Sequence, residues 1–380
     1  MKYYIIAGEA SGDLHGSNLI KELHKVDDDT HIRCWGGDKM EAAGATLAKH
    51  YRDLAFMGFT EVIKNLPTIL RNISFCKKDI LENRPDALIL IDYPGFNLRI
   101  AKWAKQQGLK VIYYISPQVW AWKENRTHGI KANVDKMLVI LPFEKDFYKK
   151  WNFEVEYVGH PLVEVIEEFR VKNSGLKVSN DKDISADIPV IALLPGSRKQ
   201  EILIKLPIML EVAKLFPAYK FIVAKAPGLP AEFYDELLKP YKNVASVVNK
   251  TYELLNTAKA ALVTSGTATL ETALFGVPEI ICYKGGNISY QIAKRLIKIK
   301  YIGLVNLIMD KEVVKELIQD DLNVNNIVAE LKKLLENADR QEDLKQDYTQ
   351  LKDILGKGGH ASANAAKSIY SFLQNQLSQQ

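Results

Sequence analysis

The sequence has few cysteines and no long apolar run, and both shortages restrict its class. Its three cysteines, Cys34, Cys76 and Cys282, are far apart, and no Cys-x-x-Cys pair occurs. That argues against a disulfide framework or a zinc knuckle and fits a reducing compartment. No stretch reaches the roughly 18 to 20 apolar residues that a bilayer-spanning helix needs, and the apolar run near Met1 is too short for a signal peptide. We therefore expect a protein that is soluble or lies on a membrane surface.

Two further absences narrow the choice of ligand. The net charge is only +5 over 380 residues, with no Lys/Arg block and no RNA- or DNA-binding motif, so no nucleic-acid partner is expected. The first glycine loop is not Gly-x-Gly-x-x-Gly, and no Walker lysine follows it, which disfavours dinucleotide binding. The mild positive charge suits an anionic ligand or an anionic membrane.

Short apolar runs alternate with helical patterns in both halves of the chain. Continuous apolar runs of this kind are typical of parallel strands covered on both faces. A polar stretch without periodicity, at about 169–189, separates two such series. The pattern predicts an α/β protein with two Rossmann-like domains. The predicted strands are Tyr3–Ala7, Ala87–Ile91, Val111–Ile115, Lys136–Ile140, Val190–Leu194, Lys220–Ala224, Ala260–Val263 and Glu279–Tyr283.

Two loops of the first half follow predicted strands, at the edge where open α/β sheets bind ligands. Residues 7–13 read A-G-E-A-S-G-D, and the amides near Ser11, Gly12 and Asp13 can face an anion or a sugar hydroxyl. The alternative is an ordinary turn in which Ser11 or Asp13 caps the helix. Asp92 follows the next strand, and its half-desolvated carboxylate can act as a general base. Its alternative role is to cap a helix starting near Asn97.

A third loop, 116–122, reads S-P-Q-V-W-A-W. Trp120 and Trp122 are costly to leave in water, so we expect them to stack on a sugar ring, an acyl chain, a membrane interface or the protein's own core. The pattern leaves these choices open.

Two loops of the second half have the composition of phosphate sites. Gly196, Ser197 and Arg198 follow a strand, and Arg198 can hold a phosphate as a planar fork. The alternative is a surface arginine after a turn. Residues 264–271, T-S-G-T-A-T-L-E, also link a strand to a helix and can cradle a pyrophosphate. The alternative, a capping box with Ser or Thr and Glu, is compatible with that role because a capped helix can still present free amides. The binding residues predicted in this loop are Ser265, Gly266, Thr267, Thr269 and Glu271.

Metal and membrane sites have weaker support. The Asp-x-Asp patterns at 27–29 and 181–183 lie in polar stretches, so we interpret them as solvated charge and expect no metal and no cofactor. Arg198 and helix dipoles would then stabilise a departing pyrophosphate. The apolar stretch Leu54–Phe75 and the basic amphipathic segment Ile288–Ile299, which contains Lys294 and Arg295, are candidates for membrane contact. A core-facing stripe is the alternative for both.

Taken in order, these motifs resemble one family, the lipid-A-disaccharide synthases of Gram-negative bacteria, which have the glycosyltransferase B-type fold. The resemblance runs along nearly the whole chain. Glu164 departs from it, standing where aspartate is expected, but it keeps the charge. The matching motifs are 7–13, 91–97, Ser116–Trp122, 141–144, 159–161, 193–198, 265–271 and 293–295.

The resemblance implies a reaction and a location. Two domains would face each other across a cleft, with the acceptor and membrane patch in 1–168, a linker at 169–189, UDP-sugar in 190–350, and the helix of 351–380 packed back on the first domain. UDP-2,3-diacylglucosamine and 2,3-diacylglucosamine-1-phosphate would be joined with inversion, at the phospholipid surface of the cytoplasmic face of the inner membrane. Asp92, Arg198 and Asn306 would be essential, with Asn306 hydrogen-bonded to substrate.

Other activities share this fold class. A UDP-N-acetylglucosamine 2-epimerase, the peptidoglycan transferase and a non-catalytic sugar-nucleotide or lipid carrier are the alternatives. A NAD-dependent oxidoreductase is disfavoured because its glycine fingerprint is missing.

Overall fold

The computed structural model describes residues 1–54, 66–173, 188–226, 228–286 and 299–378. The chain divides into two compact units. Unit 1 comprises Met1–Pro161 and Leu355–Gln380, and unit 2 comprises Leu162–Ile354. Most of the predicted linker lies outside the described residues, and its first residues continue a helix of unit 2.

Unit 1 is built on a seven-stranded parallel sheet in the order β3-β2-β1-β4-β5-β6-β7. The central strands are buried along their length because helices cover both faces. The strands are Lys2–Ala7 (β1), His31–Gly36 (β2), Thr46–His50 (β3), Ala87–Ile91 (β4), Lys110–Tyr114 (β5), Lys136–Val139 (β6) and Glu156–Tyr157 (β7), and the helices are Ala10–Val26 (α1), Asp38–Ala42 (α2), Leu66–Asn83 (α3), Pro94–Gln106 (α4), Val119–Trp122 (α5), Arg126–Asn133 (α6) and Glu144–Lys149 (α7), with a 3₁₀ turn at Tyr51–Leu54.

Unit 2 contains a six-stranded parallel sheet in the order β10-β9-β8-β11-β12-β13. Its strands are Val190–Leu194 (β8), Lys220–Lys225 (β9), Val244–Val248 (β10), Ala258–Thr264 (β11), Glu279–Tyr283 (β12) and Lys315–Ile318 (β13), and its helices are Pro161–Asn173 (α8), Lys199–Ala213 (α9), Ala231–Leu238 (α10), Thr251–Thr257 (α11), Thr267–Phe275 (α12), Leu304–Met309 (α13), Val324–Glu336 (α14) and Ala338–Gly356 (α15), with a 3₁₀ turn at Gln319–Asp321. The predicted α/β class with two parallel-sheet domains is confirmed.

The last helix, Ala361–Leu377 (α16), belongs to unit 1 and packs against α1. Its buried face joins the core that β1 and α1 form, through Ala365, Ala366, Ile369 and Leu373. Just before α16, a Cβ on Gly358 would lie 2.3 Å from the Cα of Gly159. Glycine is therefore required where the two backbones touch.

In the part of the chain that the structure describes, no helix is both long enough and apolar enough to cross a bilayer. Helix α3 covers the end of the apolar stretch predicted for membrane contact. It exposes Leu70 and Phe75 while burying Ile73. The stretch from 55 to 65 lies outside the described residues.

One acid in unit 2, Glu279, is buried without a hydrogen-bond partner among the described residues. It lies at the start of β12. Burial raises the pKa of Glu279 well above its usual value. The folded protein therefore holds Glu279 protonated at a pH where the unfolded chain has already released the proton.

We expect Glu279→Gln to stabilise unit 2, and to do so more at pH 8 than at pH 5. As pH rises through the unfolded pKa, the wild-type protein loses stability because only its unfolded state ionises, whereas glutamine does not titrate. The difference in free energy of unfolding should reach about 1–3 kcal/mol at pH 8. Urea denaturation at both pH values measures it. Glu336→Gln, at an exposed position of α14, is the matched control, and equal gains at both pH values would contradict the account.

Candidate functional site

The strand order of each sheet reverses at one place, and the predicted loops lie there. In unit 1 the reversal falls between β1 and β4, and in unit 2 between β8 and β11. The loops that leave the carboxyl ends of such neighbouring strands turn to opposite faces of the sheet and leave a crevice for a ligand. The loops of residues 8–11 and Asp92 border the first crevice. The loops of residues 195–198 and 265–266 border the second.

Asp92 lies in a turn with an uncommon backbone. Asp92 and Tyr93 both adopt left-handed conformations, with φ of 43° and 48°. Such residues cost roughly 1–3 kcal/mol each and persist only where their surroundings hold them. Here the buried Asn97 side chain donates to the Asp92 carbonyl at 2.8 Å and to the Ile91 carbonyl at 3.2 Å. The Tyr113 hydroxyl donates to the same Asp92 carbonyl at 2.5 Å, so the turn is fixed from beneath.

The Asp92 side chain is accessible to solvent, while the protein around it removes part of its hydration. This desolvation and the negative charge of Glu9 raise the pKa of Asp92 to about 6. Helix α4 has no side-chain cap, so the alternative in which Asp92 caps it is wrong. A carboxylate that titrates near neutral pH suits general-base chemistry.

The first loop packs against this turn, and its predicted residues differ in exposure and in the contacts they make. A Cβ on Gly8 would lie 2.3 Å from the Tyr93 ring, so Gly8 lets the ring pack over the loop. Ser11 is exposed in the first turn of α1, and Gly12 packs closely on Ala7 of β1. Helix α1 has no side-chain cap, which leaves its first amides facing the crevice.

Asp13 has a different role from both predicted ones. Its buried carboxylate accepts from the amides of Gly37 at 2.7 Å, Met40 at 3.0 Å and Lys39 at 3.2 Å. It therefore anchors the turn that starts α2, rather than capping α1 or reaching a ligand.

The two tryptophans of the third loop separate. Trp120 is buried, packs edge-on against Phe143 at 5.0 Å and donates to the Glu144 carboxyl at 3.2 Å. Burial raises the pKa of Glu144 to about 7. Trp122 is 48% exposed, with the Lys123 ammonium 4.0 Å from its ring centre. The core interpretation therefore holds for Trp120 alone.

In unit 2 a cavity of about 440 Å³ opens between the two predicted loops. All the predicted nucleotide-binding residues line it except Thr269, whose buried hydroxyl donates to the Gly266 carbonyl at 2.8 Å. The sequence interpretation missed Glu201, Lys225 and Thr251. Lys225 ends β9, the neighbour of β8, so its position at the same sheet edge was the available signal. The predicted residues in the lining are Gly196, Ser197, Arg198, Ser265, Gly266, Thr267 and Glu271.

Arg198 contacts an acidic neighbour at the rim of the cavity. Its guanidinium lies 3.3 Å from a Glu201 carboxylate oxygen, and its side chain is 59% exposed. The second Glu201 oxygen is 3.9 Å from the buried Lys205 ammonium. Glu201 thus holds one accessible and one buried cation, and the accessible one faces the cavity.

The floor of the cavity offers donors and acceptors for a polar ligand. Helix α12 begins after Gly266 without a side-chain cap, so the capping-box alternative is wrong. Glu271 accepts from the Tyr252 hydroxyl at 3.1 Å, and burial raises the pKa of Glu271. The Thr264 hydroxyl is buried at the end of β11 and has no partner among the described residues. The combination suits a ligand with phosphates and hydroxyls.

Asn306 is buried, and all its hydrogen-bonding capacity is taken by the protein. Its Oδ1 accepts from the amides of Val313 at 2.8 Å and Val314 at 2.9 Å, and its Nδ2 donates to the Val314 carbonyl at 2.8 Å and to Glu316 at 2.9 Å. An amide side chain has no further strong position to offer. The expectation that Asn306 hydrogen-bonds substrate directly is therefore wrong for this structure.

Asn306 instead supports the cavity from behind. Its partner Glu316 also accepts from the amides of Ile302 at 3.0 Å and Gly303 at 2.9 Å. The Ile302 carbonyl in turn accepts from the Ser265 hydroxyl at 3.1 Å in the cavity wall. A chain of hydrogen bonds thus links Asn306 to the loop at Ser265.

Each remaining predicted position either has a role other than the predicted one or lies outside the described residues. Asp27, taken for solvated charge, is buried and accepts from the Met1 ammonium at 2.9 Å. Lys294, Arg295 and the acidic pattern at 181–183 lie outside the described residues. Within the described ranges no group of three or more His, Cys, Asp or Glu side chains is placed to hold a metal ion.

Removing the Asn306 side chain should unfold unit 2 more easily, because it leaves buried amides and a carbonyl unpaired. We expect Asn306→Ala to lower the free energy of unfolding by about 3 kcal/mol or more, since each buried group left without a partner costs roughly 1–3 kcal/mol. Chemical denaturation measures this. Asn325→Ala, at an exposed position, should change it little. An unchanged stability for Asn306→Ala would restore the direct-contact interpretation.

Comparison with known proteins agrees with this architecture. A family model described as lipid-A-disaccharide synthetase matches residues 3–370. The lipid-A-disaccharide synthase of Syntrophus aciditrophicus is 40% identical over 371 residues, covering 96% of each chain. That of Geobacter metallireducens is 39% identical over 360 residues, covering 93% of each.

Solved structures share the fold at low identity. The UDP-GlcNAc 2-epimerase of Neisseria meningitidis bound to UDP-GlcNAc has a TM-score of 0.69 at 14% identity, covering 99% of this chain and 100% of its own. The calicheamicin glycosyltransferase CalG4 has a TM-score of 0.60 at 16% identity, with 98% of each chain covered. The fold thus occurs in both epimerases and glycosyltransferases, whereas the sequence relatives share one activity. The chain belongs to the lipid-A-disaccharide synthase family of glycosyltransferases.

Proposed function

We propose that the protein joins UDP-2,3-diacylglucosamine to 2,3-diacylglucosamine-1-phosphate, giving a β-1,6-linked tetra-acyl disaccharide phosphate and UDP. Family membership supports the reaction type. The observation that carries the proposal is the pairing of two different crevices in one chain. In unit 1 the pKa of the Asp92 carboxyl is raised to about 6. In unit 2 a cavity is lined by an arginine, by hydroxyl groups and by the first residues of a helix.

The chemistry needs one displacement with inversion. The acceptor 6-hydroxyl oxygen forms a bond to the donor's anomeric carbon as the bond from that carbon to the UDP oxygen breaks. Asp92 takes the hydroxyl proton, and UDP leaves with the bonding electron pair. The rigid turn under Asp92 supports this role because a base must be held in position.

Charge on the leaving pyrophosphate would be balanced by protein groups. The Arg198 guanidinium exchanges its contact with Glu201 for phosphate oxygens, and the start of α12 adds amide donors. Glu271 accepts from a ribose hydroxyl. With these donors in place the reaction proceeds without a metal ion.

Both substrates carry acyl chains, so we also propose contact with the phospholipid surface of the inner membrane on its cytoplasmic face. The exposed Leu70 and Phe75 of α3 support this, because large apolar side chains in water are candidates for lipid contact. The solved structures support a shared fold only. They therefore do not favour the epimerase or the carrier alternative over the transferase.

If Asp92 is the base, kcat/KM should fall on the acid side with an apparent pKa near 6, because only the ionised carboxylate accepts a proton. Glu9→Gln should move this acid limb to lower pH, since the negative charge of Glu9 helps to raise the pKa. A pH–rate series of kcat/KM for wild type and variant measures the shift.

Two variants serve as controls for this pH effect. Glu154→Gln, at an exposed position of unit 1, should leave the limb in place. Asp92→Asn should reduce turnover by about 10²–10⁴ while UDP still binds. An acid limb that persists in residual Asp92→Asn activity, or that ignores Glu9→Gln, would assign the titration to another group.

Metal independence has its own test. EDTA should leave the transfer rate unchanged, because Arg198 and the start of α12 supply the positive charge. The rate is measured as UDP release after dialysis against chelator. A rate that is lost and then restored by Mg²⁺ would show that a cation shares this role.

A further inference from the structure

A basic groove lies next to the Asp92 turn in unit 1 and is not used by the chemistry described above. It has a volume of about 420 Å³ and runs between α4 and α6, which pack together. Its lining repeats at helical spacing, with Gly95, Arg99 and Lys102 on α4 and Arg126 and Gly129 on α6.

One end of the groove lies at the same sheet edge as Asp92. Pro94 and Gly95 line this end, and Pro94 is separated from Asp92 only by Tyr93. Helix α6 is the second helix after β5, which pairs with β4. A group bound at this end therefore lies close to the carboxylate that we assign as the base.

No carboxylate of the described residues neutralises the positive charge in and beside the groove. Arg99, Lys102, Lys123 and Arg126 have no carboxylate within ion-pair distance in the described ranges. Burial and the charge of Arg126 lower the pKa of Lys123. Like charges held together without a counter-ion destabilise a fold unless a ligand supplies the opposite charge.

Two glycines keep the groove open. A Cβ on Gly95 or on Gly129 would meet no atom within 4 Å. Glycine inside a helix costs roughly 1 kcal/mol relative to alanine, and packing of protein atoms does not require it at Gly129. The open space and the exposed Trp122 ring beside it give a ligand a concave, basic surface.

We propose that this groove binds the phosphate of the sugar acceptor, with Arg126 as its main contact and Lys123, Arg99 and Lys102 around it. The inference rests on the proposed function, since it places the phosphate of the acceptor within one sugar ring of the hydroxyl that Asp92 deprotonates. An arginine fork suits phosphate oxygens. The donor's pyrophosphate has its own cavity in unit 2.

The test compares two acceptors, 2,3-diacylglucosamine with and without its 1-phosphate, in neutral detergent. Arg126→Gln should lower kcat/KM for the phosphorylated acceptor about 10- to 100-fold, the range for a lost charge-assisted contact. For the acceptor without phosphate it should change less than about twofold. Arg126→Lys should recover part of the loss. Lys21→Gln, an exposed lysine of α1, is the matched charge control.

A second variant separates shape from charge. Gly129→Leu fills the groove without altering charge and should raise the KM of the phosphorylated acceptor, while leaving the KM of the donor and of the acceptor without phosphate nearly unchanged. Because a Cβ at Gly129 meets no atom within 4 Å and glycine inside a helix costs roughly 1 kcal/mol relative to alanine, the free energy of unfolding should not fall. Equal acceptor kinetics for wild type, Arg126→Gln and Gly129→Leu would overturn the proposal.

Membrane binding is distinguished by flotation with vesicles of phosphatidylglycerol or phosphatidylcholine. If Arg126→Gln loses binding to the anionic vesicles but keeps its preference for the phosphorylated acceptor, the groove serves lipid headgroups and the proposal is wrong. If wild type forms no product from either acceptor, the proposed function fails instead. Equilibrium binding of the two acceptors then decides: a phosphate preference that Arg126→Gln abolishes supports the groove, and its absence in wild type refutes it.

Discussion

The reversal of strand order in the middle of each parallel sheet is the constraint on which both candidate sites depend. Strands on either side of the reversal send their following helices to opposite faces. The loop after β1 therefore diverges from the loop after β4, and the loop after β8 from the loop after β11, which leaves room for a ligand. Small residues in these loops let the backbone itself come close to a ligand. Gly196 is an example, because its φ is +116° and a Cβ there would lie 2.8 Å from a Glu201 oxygen.

The same edge carries backbone strain that the core beneath it supports. Asp92 and Tyr93 hold left-handed conformations because Asn97 and Tyr113, both buried, donate to the turn's carbonyls. Neither side chain touches a substrate in the proposed reaction, but both fix where the carboxylate points. In unit 2, Asn306 and Glu316 do the same for the turn at Ile302 and, through it, for Ser265. Buried hydrogen-bonded side chains thus determine the geometry of both crevices.

The sequence allowed the central strands and most site positions to be predicted, because continuous apolar runs and the loops after them are local signals. Ala87–Ile91, Val190–Leu194 and Glu279–Tyr283 have their predicted bounds. The strands that were missed are β2 and the edge strands β3, β7, β10 and β13. An edge strand is covered on fewer sides, so sequences such as T-L-A-K-H in β3 lack an apolar run.

Roles that depend on distant partners could not be predicted. The carboxylate of Asp13 is bound by amides of residues 37–40, and Asn306 is bound by 313–316. No spacing rule within a short motif reveals such contacts. The groove between α4 and α6 was hidden for the same reason, since Arg99 and Arg126 come together only when β4 and β5 pair.

The most direct test of the central claim is UDP release from UDP-2,3-diacylglucosamine, measured with and without 2,3-diacylglucosamine-1-phosphate. The account predicts release only when the acceptor is present, together with a tetra-acyl disaccharide phosphate by mass spectrometry. Absence of release with the acceptor, under conditions in which UDP still binds to unit 2, would contradict it and would favour an epimerase or a carrier with the same fold.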